Sequence, residues 1–298
     1  MATVRLGPDR PSERPATPTD LQPRQTGQPR QTTTGQARQN GATSETIAVV
    51  TQLFTGRLRQ RTSTSGALPL ITYYDETSGE RIELSAISFS NWVDKTAGLI
   101  VDELLLDAGT PVLLTLARTH PAHWVTLVWV AASWRAGCPV TTAVDRVGGD
   151  DPPGVEVVGP GNAFDDHEGS IERIACSLHP FGLGFTDPLP SGVIDYGVEV
   201  RAQPDSFAGP APVPADTAWI DDQRRLTHAD VVDDGRANRA ERTMIIPAAK
   251  SDPWTLIAEA SIKPVLTGGS AVIVLGADDG RRRAIADAER VTRVAVPD

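Results

Sequence analysis

The stretch that decides the fold is PVLLTLARTHPAHWVTLVWVAASWRAGCPV, residues 111–140. Its first six residues form an apolar run, which predicts a strand buried on both faces of a sheet. Residues 121–136 then continue as a long apolar segment that indicates a buried helix, and Gly137 follows where that helix would end. Cys138 to Val140 begin another apolar strand. A strand, a helix and a second strand in this order are typical of a parallel sheet flanked by helices.

Before this stretch, the sequence predicts a helix, a hairpin and a second helix. From Glu45 onward apolar residues recur at spacings of three and four, as on one face of a helix. Residues 68–74 and 81–84 predict the two strands of a hairpin, with Gly79 supplying a positive φ in the turn. Ser85 or Ser88 is the expected cap of the next helix. The apolar positions of the two helices are Ile47, Val50, Leu53, Phe54, Leu58, Phe89, Trp92, Val93, Leu99, Ile100 and Leu104.

After residue 140 the same alternation returns, with a looser middle. Residues 155–158 and 173–177 predict two short strands or strand-plus-helix units. The Pro-, Gly- and Asp-rich residues 178–214 predict a long loop packed over the sheet. The C-terminal third predicts helices at 227–239, 253–266 and 278–288 and strands at 244–247, 271–275 and 291–296. The predicted fold class is therefore α/β, with a doubly wound, mainly parallel sheet flanked by helices.

Composition narrows the classes of partner and the compartment. The chain of 298 residues has a net charge of −10, which argues against nucleic acid or an anionic membrane as the main partner. Cys138 and Cys176 lie among small and apolar residues, so we expect two buried free thiols. No Cys/His spacing fits a metal site, and no cofactor is expected. Without an apolar N-terminal run or a membrane-length segment, the expected location is the cytoplasm.

Residues 1–44 differ in composition from the rest of the chain. They are rich in Pro, Gln, Thr, Gly and Arg, and six arginines against three acidic residues give this segment a charge of +3. Such a segment buries too little apolar surface to offset its ordering entropy, so it is predicted to be a disordered tail. This segment is either a basic arm that binds a partner or an extension without function, such as one read from a start codon assigned too far upstream. Residues 45–298 are predicted to form the α/β domain.

Three quoted segments carry a family resemblance. They are the hairpin ITYYDETSGERIELS (71–85), the helix FSNWVDKTAGLI (89–100), and SWRAGCP (133–139) at the end of the buried helix. In this order they resemble the opening of the AMP-binding superfamily of adenylate-forming enzymes, which includes the acyl-CoA synthetases. Residues 216–232, DTAWIDDQRRLTHADVV, resemble the flanks of that superfamily's phosphate-binding hairpin. The likeness is to a small actinobacterial family that is related to the superfamily and lacks its signature loop, and it implies the fold of the superfamily's N-terminal portion over residues 45–298.

The sequence departs from the superfamily where adenylation chemistry is performed. A polyphosphate-binding loop needs glycines, which let backbone N–H groups point inward, and a cation. Here that loop is reduced to Asp221–Arg225, has no glycine, and opens with two carboxylates that are expected to face the triphosphate position. The chain also ends at Asp298, before the ribose-binding Asp and the small domain with the catalytic Lys that the resemblance implies. We therefore expect no adenylation activity and assign no catalytic residue.

The candidate ligand-binding residues are Lys250, Asp252 and Trp254, which follow a central strand where doubly wound sheets bind ligands. The histidines His120, His123 and His228 are interpreted as helix-start residues. Trp134 and Gly137 are interpreted as structural, as a buried anchor and a left-handed helix cap. The tryptophans interpreted as core packing are Trp92, Trp124, Trp129 and Trp134.

Two functions of different classes remain open. The first is a non-catalytic binding or interaction module without adenylation activity. The second is an enzyme, or a partner-dependent ligase subunit, that retains a reduced acyl or nucleotide pocket. An open polar pocket favours the second, whereas a cavity filled by Arg224, Arg225 and the 178–214 loop favours the first. In the superfamily that the chain resembles, the strands that follow this portion cover part of a sheet face. This sequence does not include those strands, so that face is expected to be covered by the 178–214 loop or by a second copy of the chain. Self-association or a partner protein is the favoured expectation.

Overall fold

The structure is a computed structural model, and it describes residues 52–143, 145, 152–165, 171–236 and 239–297. The predicted tail and the start of the predicted first helix, with Ile47 and Val50, lie outside these ranges. The described residues all belong to one unit, Thr43–Asp298. Where exactly the tail gives way to the domain stays a prediction.

Twelve strands and nine α-helices follow one another along the described residues. They are α1 (Phe54–Ser65), β1 (Pro69–Asp75), β2 (Glu80–Ser85), α2 (Ala86–Gly98), β3 (Val112–Leu114), α3 (Leu116–Thr119), α4 (Trp124–Ala136), β4 (Val140–Thr141), β5 (Val155–Val158), β6 (Glu172–Ala175), β7 (Val193–Asp195), α5 (Tyr196–Ala202), β8 (Thr217–Ile220), β9 (Arg225–Thr227), α6 (His228–Asp234), β10 (Arg242–Ile245), α7 (Pro253–Ile257), α8 (Lys263–Thr267), β11 (Ser270–Leu275), α9 (Asp279–Ala288) and β12 (Arg293–Ala295). Two π-helical turns, Leu99–Glu103 and Ala258–Ile262, extend α2 and join α7 to α8.

The strands form two sheets. The first has the order β12-β10-β11-β1-β2, and the second has the order β7-β6-β5-β3-β4-β8-β9. Neighbouring strands are parallel except at the two hairpins, where β2 pairs with β1 and β9 pairs with β8. The predicted α/β class and mainly parallel pairing are confirmed, but the strands belong to two sheets. The split depends on β1 pairing with β11, a contact between distant parts of the chain that local patterns do not contain.

Helix α4 lies between the two sheets. All 13 of its residues are buried, which matches a helix that is apolar on every side. At its start, the ring of the capping residue His123 packs against Tyr73 of the first sheet, with centroids 4.9 Å apart. At its end, the Trp134 indole N–H donates to the Ala218 carbonyl of the second sheet over 2.8 Å. Gly137 closes the helix with φ 81°, in the left-handed region. The structural roles predicted for Trp134 and Gly137 are confirmed.

The local signals before α4 hold in the structure. Gly79 takes a φ of 75° in the hairpin turn. Ser85 is the residue that caps α2, because its side chain accepts the backbone N–H of Ser88. Trp92 is only partly buried and lies edge-on to Trp124, with ring centroids 5.3 Å apart. The other three tryptophans predicted to be core residues are fully buried, so Trp92 lies at the edge of the core.

The segment 178–214 differs from the predicted loop. It contains β7, which adds an edge strand to the second sheet, and α5, whose Tyr196 hydroxyl lies 2.7 Å from the Thr96 hydroxyl of α2. A strand of three residues is too short to produce a pattern among prolines and glycines. The predicted helix 227–239 is also shorter, since α6 ends at Asp234.

The chain has two cysteines, and both are in the interior. Cys138 and Cys176 are free and buried, as predicted, and burial together with Asp107 raises the pKa of Cys138 to about 11. In the described part of the chain, no helix has the length and apolar character needed to cross a membrane.

A polar network fastens the C-terminal elements to the outer face of the first sheet. Glu289, directly after α9, accepts the Tyr74 hydroxyl at 2.5 Å and an Arg81 N–H at 3.0 Å, and it pairs with Arg242. Arg242 also donates to the Thr72 hydroxyl over 3.1 Å. Burial alone would raise the pKa of Glu289, but the hydrogen bonds from Tyr74, Arg81 and Arg242 outweigh it and hold that pKa at about 2.

Trp134→Ala should lower the free energy of unfolding by about 3–5 kcal/mol, because it leaves a cavity between α4 and both sheets. Denaturant titration of the variant and wild type measures the difference. Leu105→Ala is the matched control, since Leu105 is 77% exposed and should change stability by less than about 0.5 kcal/mol. A loss below about 1 kcal/mol for Trp134→Ala would contradict its role as an anchor.

Glu289→Gln should be less stable than wild type at pH 7 by roughly 2–3 kcal/mol, and the difference should shrink in acid. The folded-state pKa lies below the ordinary glutamate value, so the carboxylate stabilises the fold above about pH 4.3 and loses this contribution as the pH falls towards 2. Unfolding free energies measured from pH 7 to pH 3 test this. A difference that stays constant over this range would show that ionisation of Glu289 is not responsible.

Candidate functional site

A cleft opens at the carboxyl ends of strands from both sheets. Thr142 follows β4, Asp221 follows β8 and Lys250 lies beyond β10, and all three line a cavity of about 250 Å³. Ligands of parallel α/β sheets bind at this edge, so we treat the cleft as the candidate site. Its full lining is Arg118, Thr142, Asp221, Asp222, Gln223, Lys250, Ser251, Asp252 and Pro253.

The turn between β8 and β9 is closed by its own first carboxylate. Asp221 Oδ1 accepts the backbone N–H groups of Gln223 at 2.8 Å and Arg224 at 2.7 Å. Asp221 Oδ2 accepts the Trp219 indole N–H at 2.8 Å. The acidic turn is therefore present as predicted, but Asp221 binds the donors of its own turn, whereas the exposed Asp222 lines the cleft.

Arg224 is the cation of this turn, and it is fully paired. Its Nη1 and Nη2 contact the two carboxylate oxygens of Asp252 at 2.8 and 3.2 Å. Its Nε lies 3.3 Å from Asp221 Oδ2. A bidentate pair of this kind fixes both side chains. Arg225 lies on the other side of the hairpin, where its Nε donates to the Thr217 hydroxyl over 3.3 Å.

Asp252, one of the three predicted ligand-binding residues, begins α7. Its carboxylate accepts the Thr255 backbone N–H at 3.0 Å and the Thr255 hydroxyl at 2.8 Å. Burial alone would raise the pKa of Asp252, but hydrogen bonds from Arg224 and Thr255 keep that pKa below its ordinary value. Asp252 thus lines the cleft while holding a helix start and Arg224.

The other two predicted residues lie apart. Lys250 lines the cleft, is exposed, and forms no ion pair with any other described residue. Trp254 is 5% exposed and packs against Trp219, with ring centroids 5.2 Å apart. Its indole N–H donates to Asp234 over 3.2 Å. The structure brings Lys250 and Asp252 together at the cleft and places Trp254 in the core, away from the cleft lining.

Arg118 and Thr142 are site residues that the sequence analysis missed. Arg118 lies in the short helix α3 directly after β3, and its Nη1 donates to the Thr142 carbonyl over 3.1 Å. The predicted strand 111–116 overlaps this helix only at Leu116, and no helix was predicted for the residues between 116 and 121. The usable signal was the abrupt change from apolar to polar residues at Arg118–His120, after a strand buried on both faces.

His123 and His228 are helix-start residues, as predicted, whereas His120 follows α3 as its C-terminal cap. His123 caps α4 by accepting the Val125 backbone N–H at 3.2 Å, and burial with the nearby His120 lowers the pKa of His123 to about 3. His228 is the first residue of α6, and burial lowers its pKa to about 4. Both rings are neutral at pH 7. Within the described ranges, no group of three or more His, Cys, Asp or Glu side chains is arranged to hold a metal ion.

Comparison with known proteins identifies the family. The chain is 31% identical over 245 residues to a "TIGR03089 family protein" of Mycobacterium tuberculosis (strain ATCC 25618 / H37Rv), and the match covers 76% of this chain and 90% of that protein. The chain belongs to the TIGR03089 family. No family model matches the sequence of this family member.

Solved structures show the fold that this TIGR03089 family protein shares. An acyl-CoA synthetase of Brucella canis superposes with a TM-score of 0.62 at 15% identity, over 82% of this chain and 47% of the synthetase. The N-terminal domain of FACL13 from M. tuberculosis superposes with a TM-score of 0.57 at 14% identity, over 81% of this chain and 62% of that chain. The TIGR03089 protein therefore has the fold of the N-terminal portion of acyl-CoA synthetases, as the resemblance implied, and spans about half the length of such enzymes.

Arg224→Ala should lower the free energy of unfolding by about 1–3 kcal/mol at pH 7, since it leaves Asp252 charged without its partner. Because Arg224 depresses the pKa of Asp252, the difference should be full above about pH 5 and decline as the pH falls below about 4. Thermal or denaturant unfolding across this range provides the measurement. Arg225→Ala is the matched control, and an equal loss in that variant would contradict a specific role for the Arg224–Asp252 pair.

Proposed function

We propose that this TIGR03089 family protein is a binding module on the acyl-CoA synthetase fold that does not form adenylates. The observation that carries the proposal is the closed turn after β8, in which Asp221 takes the backbone donors of Gln223 and Arg224. A phosphate-binding loop has to present such donors to its ligand. The proposal retains the cytoplasmic location expected from the sequence.

The cation of the turn supports the same conclusion. Adenylation requires fixed positive charge at the phosphates, and each such contact commonly contributes about 3–4 kcal/mol to lowering a barrier. Arg224 lies in the turn itself, and its guanidinium is bound by Asp252 and Asp221. To serve a phosphate, Arg224 would have to leave two carboxylates, and Asp252 would lose its partner at the start of α7.

The remaining cleft suits a small anion. Its volume of about 250 Å³ lies below the roughly 300–1,000 Å³ of pockets that enclose drug-sized ligands. Arg118 and Lys250 line it, and neither forms an ion pair with a described residue. The Ser251 hydroxyl donates to the Pro297 carbonyl, which leaves the Thr142 hydroxyl beside the two cations. Of the lining carboxylates, Asp221 and Asp252 pair with Arg224. Two cations therefore face one carboxylate without an ion pair to a described residue, Asp222, and this balance favours a carboxylate or phosphate ligand. We therefore assign a small anionic ligand to the binding module.

The open polar cleft also favours a second function, in which the reduced pocket serves an enzyme or a partner-dependent ligase subunit. Arg224 and Arg225 were expected to fill the cavity. Arg224 instead pairs with Asp252 of the cleft lining, and Arg225 donates to the Thr217 hydroxyl outside the cleft. Residues 204 and 206–213 of the predicted covering loop line cavities at the opposite edge of the second sheet. Turnover of an acyl or nucleotide compound by the pure protein, or only with an added partner chain, would favour this second function.

The first test is pyrophosphate exchange. The purified protein with ATP, magnesium and a panel of short-, medium- and long-chain carboxylic acids should exchange labelled pyrophosphate no faster than a buffer blank. An active acyl-CoA synthetase run in parallel shows that the assay works. Acid-dependent exchange above the blank would overturn the proposal.

The second test is ligand-dependent thermal stability. Among phosphate, pyrophosphate, AMP, acetate and CoA, at least one anion should raise the melting temperature, because a ligand that binds only the folded state stabilises it. Lys250→Ala and Arg118→Ala should each weaken the response about tenfold or more in concentration, whereas Arg225→Ala should preserve it. An unchanged response in the first two variants would place the anion elsewhere.

A further inference from the structure

The amino ends of the second sheet carry a separate groove. It consists of two lobes of about 530 and 450 Å³, which share Ala108 and Pro210 in their walls. One wall is a strap, residues 204–213. The other wall consists of the end of α2 with its π-helical turn, the loops that lead into β3 and β4, and residues of the β8–β9 hairpin. The second lobe of this amino-end groove extends to Ile220 and Arg225 of the β8–β9 hairpin, but the groove shares no lining residue with the carboxyl-end cleft.

The strap is held in place by a buried arginine. Arg135 of α4 is 7% exposed and donates to the carbonyls of Phe207 and Gly209. Its guanidinium also lies 5.0 Å from the centroid of the Phe207 ring and pairs with Asp94 at 3.3 Å. The groove is therefore formed before any partner binds, which lowers the entropic cost of binding.

The first lobe combines an apolar floor with unpaired acids. Val101, Leu106 and Phe207 line it together with Asp102 and Asp107. Neither aspartate side chain forms an ion pair or a hydrogen bond with another described residue. Arg225, in the second lobe, is the one cation among the lining residues, and it donates to Thr217. Charge complementarity therefore favours a cationic partner, as does the net charge of −10 of the chain.

Exposed apolar residues flank both lobes. Leu105, the neighbour of Leu106, is 77% exposed and has a φ of 52°, a left-handed conformation that disfavours a leucine. Val213, in the strap wall of the second lobe, is 53% exposed. Leu105 buries little of its apolar surface within this chain despite its strained conformation, and it would bury more against a partner.

We propose that the amino-end groove docks an extended segment of a partner protein in which apolar residues alternate with Arg or Lys. The apolar side chains enter the two lobes and cover Leu105 and Val213. The basic side chains pair with Asp102 and Asp107. This interaction surface goes beyond the anion-binding function and uses none of its residues.

The probe is a fluorescein-labelled ten-residue peptide of alternating Leu and Arg, titrated with the full-length protein by fluorescence anisotropy. Two matched peptides have Glu in place of Arg, or Ser in place of Leu. The Leu/Arg peptide should bind saturably with one-to-one stoichiometry, and both matched peptides should bind at least tenfold more weakly. Absence of saturable binding, or equal binding of the Ser/Arg peptide, would overturn the proposal.

Variants locate the peptide on the surface. Asp102→Asn with Asp107→Asn should weaken binding about tenfold, and Leu105→Gly should weaken it several-fold without lowering the melting temperature. Asp279→Asn with Asp287→Asn, two exposed aspartates at α9, removes the same charge and should leave binding unchanged. An equal loss in this control would show general charge attraction and reject the groove.

Two further readouts separate the alternatives. The Lys250→Ala variant should bind the peptide as tightly as the wild type does, because Lys250 lines the anion cleft and not the groove. Failure of the anion-site proposal can therefore be told apart from failure of the groove proposal. Sedimentation velocity tests the other occupant. A dimer that dissociates in the Asp102→Asn, Asp107→Asn variant would make a second copy of the chain the occupant and overturn the peptide partner.

Discussion

Complete burial of α4 is the constraint on which the rest of the structure depends. A helix with 13 buried residues has no side that tolerates water, so it needs cover in every direction, and one sheet covers only one of them. The second sheet also packs against α4. There the Trp134 indole N–H of α4 donates to the Ala218 carbonyl of β8. The same arrangement brings the loops after β4, β8 and β10 to a common cleft, so the position of the site follows from the burial of one helix.

Features that depend on residues close together in the sequence could be predicted, whereas features that depend on distant residues could not. Ser85, Gly79 and Gly137 act within their own turns, and their roles were read correctly because caps and positive-φ positions depend on neighbouring residues. The division into two sheets depends on β1 pairing with β11, about two hundred residues away along the chain. Alternation of strands and helices predicts parallel pairing but does not say which strands share a sheet. Strand β7 was missed because three residues carry no periodicity.

The site shows the same limit at the level of side chains. The rule that ligands bind at carboxyl ends of strands selected Lys250 and Asp252, which line the cleft, and their role in ligand binding stays a prediction. The rule failed to separate them from Trp254, because the register of α7 turns that ring into the core beside Trp219. Arg118 lay between the predicted strand 111–116 and the predicted helix 121–136, where no helix was predicted, and the structure has α3 there. The bond between Asp221 and the donors of its own turn depends on backbone geometry, which residue types alone do not specify.

The closed turn has a consequence for any anion that approaches it. The Asp221 carboxylate is tethered a few bonds from the N–H groups that it occupies, so it competes as an intramolecular ligand. Groups joined by short links face each other at effective concentrations of millimolar or more. A free phosphate would have to displace this resident anion and also tolerate the neighbouring Asp222. We therefore expect the turn to stay closed on its own carboxylate whatever the concentration of free nucleotide.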